Sequence, residues 1–184
     1  MTKNTNDPFA EKAEGLINAI KALVDSKVED TSCYRMLIDN FCAYQMGARN
    51  GKDKLGRWDT NKIRNHCLRS VEAHKAIIKN EKGIHRDHVI PMKFIVEKLL
   101  ALPTPSTTAI MDTLETHAVF AAITEEEHNM LNIKHRSRMP DGYSIEGDDL
   151  CDQPYARYIK VFPDKFKDGF EGNSFFEPTP DKGW

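Results

Sequence analysis

The segments IHRDHVIP (84–91) and AVFAAITEEEH (118–128) carry the sharpest structural signals in the chain. The first is a short strand-like run, Ile84 to Ile90, stopped by Pro91, whose ring removes a backbone donor. The second opens on the longest wholly apolar run, Ala118 to Ile123, which reads as the best strand in the protein. Thr124 follows as the cap of a new helix (TEEEHNMLN), whose early acids suit the positive end of a helix dipole. Between the two strands, Met92, Ile95, Val96, Leu99 and Leu100 keep helical spacing. A turn (ALPTPS, 101–106) and a short helix with Ile110, Met111 and Leu114 come next. Residues 84–140 therefore read as a strand–helices–strand–helix unit.

Upstream, apolar residues at 9, 13, 16, 17, 20, 23 and 24 predict an amphipathic helix to about Asp25. A second helix begins near Thr31 or Ser32, with Tyr34, Leu37, Ile38, Phe41 and Tyr44 along one side. The loop NGKDKLGRW (50–58) is polar and punctuated by glycine, and a third helix capped by Asp59 or Thr60 is expected to carry Ile63, Cys67, Val71, His74 and Ile78. Downstream of Met139, Gly, Pro and Asp dominate, broken by one helix over Pro154 to Val161, and the last twenty residues read as a tail lying on the domain or left loose. The expected architecture is a mainly helical α+β fold forming one compact domain: a helical part at 1–83, the strand-containing unit at 84–140 and an irregular segment at 141–184.

With 184 residues, 40% of them hydrophobic and 29% charged, the composition is that of an ordinary globular protein. An apolar run of six residues falls far short of the roughly 20 that a membrane-spanning helix needs. The amino terminus lacks the apolar stretch of a secretory signal, so the expected location is the cytoplasm with no membrane partner. Cys33, Cys42, Cys67 and Cys151 form no CxxC pair and read as small buried hydrophobes. The net charge of −2 conceals an uneven distribution: residues 47–86 hold eleven Lys or Arg against four acids. Concentrated positive charge is the footprint of phosphate binding, here through Arg49, Lys52, Lys54, Arg57, Lys62 and Arg64.

Among seven histidines, His88 stands out because Arg86, Asp87 and His88 place a guanidinium, a carboxylate and an imidazole at the end of a strand just before a proline. His128 lies one turn into a helix that directly follows a strand. This order of elements, with DHVIP at 87–91 and AAITEEEH at 121–128, resembles the HNH or ββα-metal endonucleases, including HNH-like proteins of phages and restriction or defence systems. The resemblance covers roughly residues 84–132. It implies a metal-dependent hydrolase of phosphodiester bonds in which His88 is the general base and Asp87 and His128 hold one divalent ion. Magnesium, manganese, nickel and zinc all suit such donors. Thr124 and Glu127 stand where zinc-stabilised relatives carry cysteines. The family's middle residue, usually Asn, aligns with Val119, and His117 is the nearby polar substitute. Arg86 and Lys93 would neutralise charge in the transition state. The implied partner is nucleic acid, DNA in the first instance, and paired cuts would call for a homodimer. A further string, MPDG (139–142) with YARY (155–158), resembles uncharacterised proteins of mobile elements.

Three other readings come from the residues alone. Neighbours on a flat strand face opposite ways, so Asp87 and His88 meet at one site only where the chain twists or ends; a purely structural Arg86–Asp87–His88 ion group is the simplest alternative. His85, His88 and His128 form a second arrangement, a structural zinc site. The third is a non-catalytic phage or plasmid protein whose basic face grips nucleic acid or an acidic protein.

Overall fold

A computed structural model describes residues 8–45, 67–167 and 172–177. The fold is α+β and mainly helical. Its helices are α1 (Pro8–Asp25), α2 (Thr31–Gln45), α3 (Val71–Ile78), α4 (Met92–Leu100), α5 (Thr107–His117), α6 (Glu125–His135) and α7 (Ala156–Val161), with a 3₁₀ turn at Pro163–Lys165. Its strands are β1 (Leu68–Arg69), β2 (Ile84–His88) and β3 (Phe120–Thr124). Among the described residues, no helix is long and apolar enough to cross a membrane.

The chain divides into two compact units that each use separated stretches of sequence: residues 1–66 with 92–118, and 67–91 with 119–184. The division therefore differs from breaks at 83 and 140, because the α4–α5 excursion belongs with the amino-terminal helices. In the first unit α1 packs on α2 and α5, and α2 and α5 pack on α4. The apolar stripes read from the sequence supply the buried residues: Ile17, Ile20 and Val24 of α1, Tyr34, Ile38 and Phe41 of α2, Ile95 and Leu99 of α4, Ile110 and Leu114 of α5. Inside this unit the Tyr34 hydroxyl donates to the Val28 carbonyl (2.9 Å) and the Cys42 thiol to that of Ala118 (2.9 Å).

The second unit is built on a three-stranded sheet of order β1–β3–β2, with β3 parallel to β1 and antiparallel to β2. The third helix expected from the sequence differs on two counts. Leu68 and Arg69 are strand, paired with Ala121 and Ala122, and α3 starts only at Val71, because the Ser70 hydroxyl caps it by accepting from the Ala73 amide (3.0 Å). The expected start of that helix lies outside the described residues. The carboxyl-terminal segment is a structural component of the unit: Phe176 bridges to Ser70, and Phe175 and Phe176 are buried with Val89, Ala121, Ile123, Leu131, Tyr158, Val161 and Phe166.

Glu127 ties this unit together at the entry to α6. Its Oε2 accepts from the Thr124 amide (2.8 Å), the Thr124 hydroxyl (3.1 Å) and the Ser70 hydroxyl (2.7 Å), while Thr124 Oγ1 accepts from the Glu127 amide. One carboxylate thus completes the capping box of α6 and holds the cap residue of α3. Thr124 and Glu127 act as a hydrogen-bonded cap. Glu127→Ala should lower stability by about 2 kcal/mol, combining a lost cap with a buried Ser70 hydroxyl left without its acceptor. Urea unfolding should show a lower midpoint at unchanged slope.

Candidate functional site

β2 and β3 pair in the register Ile84–Thr124, His85–Ile123, Arg86–Ala122, Asp87–Ala121 and His88–Phe120. Directly opposed residues point to the same side of a sheet and successive ones alternate. His85 and Asp87 therefore share a side with Ala121 and Ile123, which belong to the core that includes Leu131 of α6 and Tyr158 of α7. Arg86 and His88 share the other side with Phe120. The observed contacts agree: the His88 ring lies 4.4 Å from the Phe120 ring, and the Arg86 guanidinium lies 4.4 Å from the centroid of that same ring.

On the first side, α6 brings His128 over β2, where its imidazole stacks on His85 at 4.6 Å with the rings only 4° from parallel. Asp87 is buried, and its partners come from α7. The Tyr158 hydroxyl donates to Oδ2 at 2.6 Å, and Arg157 Nη2 lies 3.3 Å from Oδ2 and 3.4 Å from Oδ1. Arg157 Nη1 donates to the His88 carbonyl at 3.0 Å. Arg157 is itself only 2% exposed, so one guanidinium clamps the side chain of Asp87 and the backbone of the next residue from within the core. Burial, reinforced by the charge of Asp87, raises the Tyr158 pKa far above the ordinary range and keeps its hydroxyl a donor. Ala121, opposite Asp87, leaves room for this approach.

The electrostatics of the face follow from its cations. Burial lowers the His128 pKa first, then the nearby His85, Arg157 and Arg136, against the opposing pull of Asp87. His135 is lowered by burial, then by Arg157, Lys134 and Lys160, with Asp141 opposing. Both imidazoles are thus held neutral at neutral pH, the form that accepts a proton or binds a cation. Lys134, Arg136 and Lys160 are exposed.

The structure thus brings Asp87 and His128 to one side of β2, adds His85, and sets His88 and Arg86 on the opposite side. His117 ends α5 in the first unit, and Lys93 lies in α4 of that unit, 3.7 Å from Glu97. Arg49, Lys52, Lys54, Arg57, Lys62 and Arg64 lie outside the described residues. Sequence reasoning missed Arg157 and Tyr158 as partners of Asp87. The signal that could have found them is an Arg-Tyr pair in the one helix of an otherwise irregular segment.

Among the described residues, no three His, Cys, Asp or Glu side chains stand close enough to share a metal ion. The fit of a divalent ion to Asp87 and His128 is decided by what Asp87 already holds. A guanidinium supplies positive charge to both oxygens and a hydroxyl saturates one of them, so a second cation would meet repulsion without a free carboxylate in return. The pair as arranged does not fit the ion that the HNH resemblance implies. No family model, curated protein or solved structure matches the chain.

Two outcomes follow. Arg157→Met should cost about 3–5 kcal/mol by stranding a buried carboxylate, and Arg157→Met combined with Asp87→Asn should cost less than Arg157→Met alone, measured as a double-mutant cycle in urea. The lowered pKa of His128 means that the unfolded chain binds a proton more readily than the folded one, so stability is lost as pH falls from the ordinary value of 6.5 through the folded pKa. Over that window, thermal melts of His128→Gln should fall less with acid than those of the wild type, and the difference should vanish above about pH 7.5.

Proposed function

We propose that this chain is a nucleic-acid-binding protein whose second unit meets phosphate through the cationic side of α6 and α7. The observation that carries the reading is that Lys134 and Arg136 at the end of α6 and Lys160 of α7 are all exposed, while the carboxylate of Asp87 is paired with buried Arg157 and Asp141 is the acid that opposes them at His135. The basic stretch of residues 47–86 supports it from the sequence, eleven cations against four acids. Cations on a surface hold a phosphate backbone without reading bases, so duplex and single strands are both candidate ligands.

The test is fluorescence anisotropy with labelled duplex and single-stranded oligonucleotides. Affinity should fall by roughly tenfold or more between 50 and 200 mM salt, as counterion release requires for three or more phosphate contacts. Reversing Lys134, Arg136 and Lys160 to Glu should weaken binding by a similar factor. Absence of binding, or affinity indifferent to salt and to these changes, refutes the reading.

A second reading, an HNH-like endonuclease, has only the order of elements in its favour, antiparallel β2 and β3 running directly into α6, and ranks below binding because His88 lies on the side of the sheet away from Asp87 and His128 and Asp87 is engaged by Arg157. It predicts nicking of the same oligonucleotides with magnesium, manganese, nickel or zinc, lost in His88→Ala and His128→Ala while the fold is kept.

A further inference from the structure

We propose that Arg157 is the resident cation of the second unit, its guanidinium standing in the electrostatic place that a divalent ion takes in ββα-metal proteins. A metal-binding carboxylate must present a lone pair and a negative charge that nothing else has neutralised. The charge of Asp87 is already met by a guanidinium and its Oδ2 is already engaged. Oδ2 receives the Tyr158 hydroxyl at 2.6 Å and Arg157 Nη2 at 3.3 Å, and the same nitrogen stands 3.4 Å from Oδ1.

The guanidinium is fixed as well as close. Its other arm donates to the His88 carbonyl at 3.0 Å, so it grips two consecutive residues at the end of β2. With 2% of its surface exposed it has no solvent into which to swing, as a surface lysine would. An arginine also keeps its charge when buried, which a lysine readily gives up. The side of β2 that carries Asp87 and His85 thus has a positive charge that is covalently part of the chain. The proposal rests on this geometry and stands or falls separately from nucleic-acid binding.

The test is a titration of Mn²⁺ and Zn²⁺ into the full chain carrying ¹⁵N-labelled histidine, following ring resonances of His85 and His128 and the melting temperature. The wild type should show no selective broadening by Mn²⁺ at these rings. Arg157→Gln removes the charge and leaves one shorter amide donor; it should gain affinity by about tenfold or more, with a melting temperature raised by Zn²⁺. Arg157→Lys, a shorter cation that gives up its charge more readily when buried, should fall between the wild type and Arg157→Gln. Selective binding at His85 and His128 in the wild type overturns the proposal, as does a metal response identical in all three proteins. Should Arg157→Gln be too unstable to titrate, the wild type decides: broadening of these two rings below about 100 μM Mn²⁺ refutes a resident cation, and its absence upholds it.

Discussion

A carboxylate cannot be taken into a protein interior unless donors meet it there, and Asp87 imposes that condition on the second unit. Its donors come from Arg157 and Tyr158, seventy residues further along the chain, and the guanidinium that reaches Asp87 also holds the backbone of His88. Much follows from this one buried group. Asp87 faces α7, and Ala121 stands opposite it in the strand register. His85, two residues away, shares that side and meets His128, and the alternation of the strand sends Arg86 and His88 to the ring of Phe120.

The helix α6 separates charge along its length. Glu125, Glu126 and Glu127 occupy its first turn and Lys134 and His135 its last, with Arg136 just beyond, an order that complements the helix dipole. The acid end is used structurally, through the Glu127 bonds to Thr124 and Ser70. At the basic end, Lys134 and Lys160 both act to lower the His135 pKa, against Asp141. A local rule for helix stability thus also places the protein's surface charge.

Much of the fold was legible before any coordinates. The helical stripes of α1, α2, α4 and α5, the strands at β2 and β3, and the Thr124 cap each depend on neighbours within a few residues, and the pattern of apolar side chains reports them directly. The pleat of a strand was enough to warn that Asp87 and His88 face opposite ways. Less visible was β1, only two residues long and preceding a helix whose periodicity seemed to run through it. Phe175 and Phe176, set among Gly, Pro and polar residues, carried no periodic signal, yet they fill the core of the second unit.

Local order along the chain is therefore written in the amino acids themselves, since spacing, caps and the proline at 91 act over a single turn or a single strand. The company each reactive group keeps was settled in three dimensions. Whether Asp87 would hold an ion or an arginine depended on where a distant helix packed, and packing follows from summed apolar burial over two whole units, which no short string encodes. The same long-range packing put α4 and α5 with the amino-terminal helices and brought the two phenylalanines near the carboxyl terminus against the sheet.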